Sequence, residues 1–155
     1  MPKTILGLDI GTDAVKAVWA NRVSRTDVQV LASETARIEG GVDLEAALKK
    51  LAETISPMSP SEIRCVVCLT PSEVMFRQIR LPFHEENKIN KTLSFELEPL
   101  LPLPIEDVVV DYVRLPDDGL LAAAVGKERI RKIIAAVESQ VGKVSAIDIA
   151  TAALA

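Results

Sequence analysis

The order of hydrophobic and polar positions along the chain changes near Pro71. Before this residue, the pattern predicts three consecutive strands, an amphipathic helix over residues 44–55 and a fourth strand that ends at Leu69. After it, residues 74–141 are predicted to form a strand, a helix, a two-stranded hairpin and a second helix, which is most of a split βαβ unit. The sequence therefore predicts an α/β chain with two subdomains.

The strand predicted over residues 143–149 fits either subdomain. It would complete the split βαβ unit if it joined the second sheet. We favour its return to the first sheet, because Asp148 places a carboxylate at the end of a strand, as Asp9 does at the end of the first strand. This choice places both carboxylates in one subdomain.

A tight turn follows the first predicted strand. That strand ends with Asp9, and a turn containing Gly11 and Thr12 leads to a second strand that carries Lys16. The hairpin would bring a carboxylate, a hydroxyl, backbone N–H groups and an ammonium to one place, a combination suited to a metal-bound polyphosphate. The alternative is a purely structural hairpin, because a short motif of this kind needs a confirming structural context.

The two cysteines, Cys65 and Cys68, have the spacing of a redox or zinc motif but lie within a predicted buried strand. Residues three apart on a strand point to opposite faces, so the two thiols should diverge. His84 is the only histidine, and a zinc site needs about four ligands. We therefore expect two core cysteines, a capping or surface histidine, no metal site and no catalytic residue.

A helix predicted over residues 85–98 has one face for the core and another for the surface. Its apolar stripe consists of Ile89, Leu93 and Leu97. Phe95 lies off this stripe and is expected to be exposed beside an extended, proline-stiffened linker that carries Leu100, Leu101 and Leu103. These four apolar residues are the candidate partner-binding residues. The alternative is that Phe95 packs beneath its own linker, against Leu101 or Leu103.

Composition excludes several classes of protein. Of the 155 residues, 48% are hydrophobic and 26% charged, which indicates a soluble globular protein. The net charge of −4 and the 3% aromatic content argue against nucleic-acid binding, which needs a basic face or stacking aromatics. No signal peptide or membrane span is recognisable, so we expect a cytoplasmic chain. Because residues 149–155 end in what looks like the start of a helix, we expect a piece of a longer protein.

Two stretches resemble known families. The opening D-I-G-T-D-A-V-K is similar to the first phosphate motif of the actin, heat-shock chaperone and sugar-kinase superfamily. This resemblance implies that Asp9 lies near a metal, and that Gly11, Thr12 and Lys16 lie near phosphates. Residues 95–112 combine a Phe-Glu pair, a proline-rich exit and a Val-Val-Asp-Tyr strand. They resemble the cytoplasmic actin-like proteins GspL of type II secretion and PilM of type IV pilus assembly.

The second resemblance covers essentially the whole chain and implies its organisation. Residues 1–70 with 143–155 would form half of an actin-like ATPase core of the ribonuclease-H-like type. Residues 71–142 would be an inserted small α+β subdomain, as in the cell-division protein FtsA. The run from Phe95 to Glu98 looks closer to GspL than to PilM.

The resemblance also implies a function. The chain would be a cytoplasmic scaffold that links an assembly ATPase to inner-membrane proteins, with self-association as a further property, and it would be held at the inner membrane through parts outside this chain. The alternative is an ATP-binding phosphotransferase similar to the sugar kinases.

Catalysis is not expected from this chain, because actin-like sites lie between two halves and only one is present. We expect no ATP hydrolysis and weak or absent ATP binding. ATP and Mg²⁺ would be ligands of a longer PilM-like protein, and Asp148 is the one residue placed to act as a base.

Overall fold

The computed structural model describes residues 4–24, 27–38, 44–55 and 64–150. The chain forms two compact units, residues 1–71 with 132–155 and residues 72–131. Its elements, in chain order, are β1 (Thr4–Ile10), β2 (Ala14–Arg22), β3 (Val28–Arg37), α1 (Leu44–Ile55), β4 (Arg64–Leu69), β5 (Met75–Ile79), α2 (Glu86–Leu97), β6 (Val108–Arg114), β7 (Leu120–Gly126), α3 (Lys127–Gln140) and β8 (Val144–Ile149).

The first unit contains a five-stranded sheet with the order β3-β2-β1-β4-β8. Strand β1 is antiparallel to β2 and parallel to β4, and β4 is parallel to β8. The prediction that residues 143–149 join the first sheet is therefore confirmed. The carboxyl ends of β1, β4 and β8 meet at the same edge, where Ala150 donates a backbone hydrogen bond to Leu69 at 3.0 Å.

Alternation of side chains gives this sheet one buried face. Every second residue of the central strands is buried, because successive side chains on a strand point to opposite faces. Strand β2 runs as far as Arg22, and β3 pairs with it along its whole length. The buried side chains of β1, β2 and β4 are Leu6, Leu8, Ile10, Val15, Ala17, Trp19, Cys65, Val67 and Leu69.

The second unit contains an antiparallel three-stranded sheet with the order β5-β7-β6. Helix α2 buries the predicted stripe of Ile89, Leu93 and Leu97 in one hydrophobic cluster with residues of β5 and β7. The predicted helix face is therefore confirmed. Strand β5 is five residues long and ends at Ile79. The residues that β5 and β7 contribute to the cluster are Ile79, Leu120 and Ala122.

Helix α3 ends at a left-handed turn that leads into β8. Gly142 has a φ of 146°, and its N–H donates to the carbonyl of Val137 at 3.3 Å. A side chain is strained at such a φ, so glycine is the favoured residue there. The division between the two units falls within α3, at residues 131 and 132, whereas the sequence placed it after residue 142.

Candidate functional site

Four residues form a row across the exposed face of the first sheet, where its parallel strands end. Asp9 lies opposite Lys16 on β2 and opposite Cys68 on β4, and Cys68 lies opposite Asp148 on β8. Directly paired residues project from the same face of a sheet, so these side chains stand side by side. We call Lys16, Asp9, Cys68 and Asp148 the polar row.

Two members of the polar row form an ion pair. Lys16 Nζ lies 3.4 Å from Asp9 Oδ2, and the two side chains expose 63% and 40% of their surfaces. An ion pair this exposed contributes little to stability, because water screens it and both side chains lose rotamer freedom. A ligand that carries negative charge, or a hydrated cation, can therefore compete for either partner at small cost.

The turn after β1 uses its glycine for closure. The Gly11 N–H donates to the carbonyl of Ala14 at 2.9 Å, so this group is already engaged within the hairpin. A Cβ on Gly11 would lie 3.1 Å from the same oxygen, which explains the glycine by close backbone approach. Thr12 is exposed at the tip of the turn. The structure thus brings Asp9 and Lys16 together, while Gly11 closes the turn that presents Thr12.

Cys68 lies between the two carboxylates of the polar row. Partial burial raises the pKa of its thiol, and the negative charges of Asp148 and Asp9 raise it further. The thiol therefore stays protonated at neutral pH, which suits neither a nucleophile nor a metal ligand.

Cys65 differs from Cys68 in its surroundings. It points to the opposite, buried face of the sheet, where burial raises the pKa of its thiol to about 12. The predicted divergence of the two thiols is confirmed. The expectation of two core cysteines is wrong for Cys68, which is half-buried on the exposed face.

Asp148 stands at the outer end of the polar row. Its Oδ1 accepts a hydrogen bond from the Ile149 N–H at 2.7 Å, which fixes the carboxylate beside the edge of the sheet. Two strand spacings, roughly 10 Å, separate its backbone from that of Asp9. Within residues 4–24, 27–38, 44–55 and 64–150, no three His, Cys, Asp or Glu side chains are grouped as metal ligands.

A separate candidate site lies on the second unit. Phe95 exposes 74% of its surface on α2, and Leu100 and Leu103 expose 45% and 41% in the segment that follows. We call these three residues the 95–103 surface. Leu101 differs, because it is half-buried and packs against the hydrophobic cluster. The exposure of Phe95 excludes the alternative in which it is buried beneath its linker.

The linker predicted over residues 100–104 is extended at Leu101 and Pro104, but Leu100 belongs to a 3-10 turn. A 3-10 turn over Glu98–Leu100 continues directly from α2, and a second one covers Ile105–Asp107. Arg77 Nε donates to the carbonyl of Leu100 at 2.9 Å and so ties the first turn to β5. This bond joins residues far apart in sequence, so local pattern does not reveal it.

His84 lies on the surface before α2, where its carbonyl accepts a hydrogen bond from Arg114 at 2.7 Å. Among the described residues, no helix has the length and apolar character needed to cross a bilayer.

The role of Cys68 in the polar row was missed by sequence reasoning. The alternation of β4 already places Cys68 on the same face as Arg64, but which residues flank it depends on the pairing of β4 with β1 and β8.

The fold resembles several solved structures. The cytoplasmic domain of EpsL, an inner-membrane component of the type II secretion system of Vibrio cholerae, matches with a TM-score of 0.70 and 14% identity, over 94% of this chain and 57% of that one. A PilM–PilN type IV pilus biogenesis complex matches with a TM-score of 0.69 and 23% identity, over 94% and 47%. A Bacteroides thetaiotaomicron protein of unknown function with an actin-like ATPase fold matches with a TM-score of 0.52 and 15% identity, over 95% and 52%.

These likenesses confirm the predicted fold class, part of an actin-like ATPase fold. The chain spans about half the length of the structures it matches. Among curated proteins, none matches the sequence significantly.

A family model gives the more specific assignment. The model described as type IV pilus assembly protein PilM matches residues 7–155. The family model favours PilM, whereas residues 95–98 were expected to be closer to GspL. Because it covers nearly the whole sequence, the chain belongs to the PilM family of type IV pilus assembly proteins.

Proposed function

We propose that this protein is an adaptor of type IV pilus assembly. It works on the cytoplasmic side of the inner membrane and joins an assembly ATPase to inner-membrane assembly proteins. Membership of the PilM family supports a role in type IV pilus assembly. The solved complex of a PilM with PilN supports binding to an inner-membrane assembly protein of this kind. The unit of residues 72–131 acts as the inserted partner-binding subdomain, and the first unit carries the polar row.

The observation that carries the proposal is the exposure of Phe95. An aromatic side chain with 74% of its surface in water contributes little to folding, whereas aromatic residues are enriched among those that dominate binding energy at protein interfaces. Leu100 and Leu103 extend the apolar surface, and the bond from Arg77 holds the turn that carries Leu100 in place. A rigid apolar surface loses little conformational entropy when it binds a partner.

Binding measurements with purified proteins test the adaptor. PilN and the pilus assembly ATPase of the same bacterium are each immobilised, and the protein is applied as wild type and as Phe95→Ala. We expect the substitution to weaken binding to at least one of them by about tenfold or more, because interface aromatics are common hot spots. The melting temperature should stay unchanged, because Phe95 is exposed.

Val113→Ala provides the matched control. Val113 is also an exposed apolar residue of the second unit, with 57% of its surface accessible on β6, and it lies outside the 95–103 surface. Its substitution should leave binding unchanged. Absence of binding to both proteins would contradict the adaptor function. Equal binding by wild type and Phe95→Ala would show that the 95–103 surface does not contribute to binding these partners.

We propose in addition that ATP and Mg²⁺ are ligands of the longer protein and that no catalysis occurs in this chain. The polar row supports this proposal, because Asp9 can hold the water molecules of a magnesium ion and the exposed Lys16 can contact a phosphate. The N–H of Gly11 already donates to the carbonyl of Ala14, which argues against a phosphate bound by this N–H at the turn.

Calorimetry with Mg-ATP tests the nucleotide proposal. We expect weak or no binding to residues 1–155, and binding to the longer protein that falls in Asp9→Ala and in Lys16→Ala. Hydrolysis of ATP, or transfer of phosphate to a sugar, would instead favour the phosphotransferase alternative.

A further inference from the structure

Among the strands that the structure describes, four lie at the edges of the two sheets. Strands β3 and β8 border the first sheet, and β5 and β6 border the second. An edge strand presents unpaired N–H and C=O groups that can pair with a strand of another molecule unless something occupies them. The four edges of this protein differ in that respect.

Strands β8 and β6 are each blocked by an aspartate of their own. Asp148 accepts a hydrogen bond from the outward N–H of Ile149 at 2.7 Å, and Asp111 accepts one from the N–H of Tyr112 at 2.8 Å. In both cases, a carboxylate occupies the donor that an added strand would need. It would also repel the carbonyl oxygens of such a strand, so these edges are protected.

Strand β5 is blocked by a cation. A terminal nitrogen of the Arg77 guanidinium donates to the carbonyl of Phe76 at 2.7 Å, while Nε holds the neighbouring turn through Leu100. Ile79, Arg77 and Met75 direct their backbone groups toward β7, where they pair with residues 120, 122 and 124. Backbone groups alternate in direction along a strand, so the carbonyl of Phe76 faces away from β7. The guanidinium therefore covers the acceptor that an added strand would use.

Strand β3 has no such block. It is ten residues long, and within the described part of the chain no side chain donates to or accepts from its outward backbone groups. Val28 and Val30 expose 60% and 62% of their surfaces beside that edge. A long edge strand with exposed β-branched apolar residues is the kind that other strands add to.

The hydrogen-bond pattern identifies the outward groups of β3. Ile38 donates to Asp13, and Val23 donates to Asp27, which marks hydrogen-bonded pairs at the two ends of the β2–β3 ladder. Such pairs alternate along an antiparallel ladder. Within residues 28–35, the residues that direct their backbone groups away from β2 are therefore Val28, Val30, Ser33 and Thr35.

A β-bulge separates these residues into two sets. Trp19 pairs with Ala32 and Ala20 with Val30, so Leu31 is the extra residue. The bulge shifts the alternation by one residue in the middle of the strand. This shift determines how two copies of β3 can pair with each other.

We propose that β3 pairs with β3 of a second copy of the chain, antiparallel and about a two-fold axis between Leu31 and Ala32. In this register, Val28 lies opposite Thr35 and Val30 opposite Ser33, so each outward residue meets an outward residue. A shift by two residues would place Ser33 opposite Ala32, whose backbone groups point inward. The contact is self-complementary and closed, which is the usual form of a homodimer interface.

Charge and side-chain type support a second copy as the occupant. Glu34, the acidic residue of the strand, lies opposite Gln29, so no like charges meet within residues 28–35. The cross-strand pairs Val28–Thr35 and Val30–Ser33 join β-branched residues with hydroxyl residues, which suit strands. Pairing would also cover the exposed valines. This inference goes beyond the adaptor function and does not rest on it.

Sedimentation across a range of concentrations tests the dimer with the variant Val30→Pro. The N–H of Val30 points outward, so proline removes a donor of the new ladder without breaking the β2–β3 ladder. Wild type is expected to sediment as a dimer that dissociates on dilution, and Val30→Pro as a monomer with a similar melting temperature. Val30→Thr keeps the donor and the branched shape and should remain a dimer. Ser33→Pro provides a second variant if Val30→Pro unfolds.

Disulfide crosslinking tests the register. Gln29 and Glu34 face each other across the proposed axis, so the double variant Gln29→Cys with Glu34→Cys should give a covalent dimer on mild oxidation, whereas each single variant should not. The buried Cys65 and the protonated Cys68 should not take part. A wild-type protein that is monomeric at all concentrations would overturn the proposal, even if Val30→Pro weakened binding to another protein. So would a dimer that Val30→Pro leaves intact.

Discussion

Arg129 Nε donates a hydrogen bond of 2.7 Å to the carboxylate of Glu73, although 56 residues separate them. Glu73 follows the point where the chain enters the second unit, and Arg129 precedes the point where it leaves. The ion pair therefore joins the first and last segments of that unit. The other carboxylate oxygen of Glu73 is buried and has no hydrogen-bond partner.

Substitution of this carboxylate should lower the stability of the protein. In Glu73→Gln, Arg129 loses its charged partner, and we expect the free energy of unfolding to fall by about 1 kcal/mol, a modest value because Arg129 exposes 40% of its side chain. Urea denaturation measures the change. Glu96→Gln is the control, because Glu96 is an exposed acid of α2 and its substitution should have no effect. A Glu73→Gln protein as stable as wild type would show that the pair contributes nothing.

Truncation of Leu97 should affect folding much more than truncation of Phe95. Leu97 is fully buried in the cluster of the second unit, and removal of a buried leucine side chain costs about 2–5 kcal/mol. Phe95 lies two residues earlier but points into solvent. Thermal denaturation of Leu97→Ala and Phe95→Ala compares them directly. Similar losses of melting temperature in the two variants would contradict the assignment of α2 faces.

Alkylation should report the electrostatics of the polar row. The pKa of Cys68 is raised by burial and by the charges of Asp148 and Asp9, so removal of one charge lowers it and increases the thiolate fraction. In Asp148→Asn, iodoacetamide at about pH 8 should therefore label Cys68 faster than in wild type. Mass spectrometry of the labelled peptide gives the rate. Asp111→Asn alters the corresponding carboxylate on β6 and should leave the rate unchanged. An unchanged rate in Asp148→Asn would mean that its charge does not reach the thiol.

Stability should decrease in alkaline solution because of Cys65. Burial raises the pKa of its thiol from 9.0 to about 12, so above pH 9 the unfolded chain loses a proton that the folded chain keeps. Ionisation then favours the unfolded state, and the free energy of unfolding should fall by up to about 1.4 kcal/mol per pH unit between these values. Denaturation curves at several pH values give the slope. Cys65→Ala has no thiol and should show a flatter dependence, and equal slopes would contradict the assignment.

Local sequence patterns were sufficient for much of this fold. Spacing of four residues identified Ile89, Leu93 and Leu97 as one buried face, and the same spacing placed Phe95 on the exposed side. Alternation along β4 separated Cys65 from Cys68. Each inference needs only the geometry of a single helix or strand, which is the same in every protein.

Features that depend on distant segments could not be derived in this way. The 3-10 turn at Leu100 is tied by Arg77, and the neighbours of Cys68 come from β1 and β8. Prolines permit both a turn and an extended linker, so only the tertiary contact decides between them. The open edge of β3 could not be inferred either, because a pattern of valines does not show which strands lie at the margin of a sheet.

Gly142 has a consequence for the charge pattern of the first unit. Its left-handed backbone ends α3 and sets the direction in which the chain enters β8. A strand that entered one residue out of step would turn every side chain to the other face and carry Asp148 into the hydrophobic interior. The position of Asp148 beside Cys68 therefore depends on a residue that has no side chain and no charge, together with the extra residue Ser145, which shifts the pairing with β4 before Ala146.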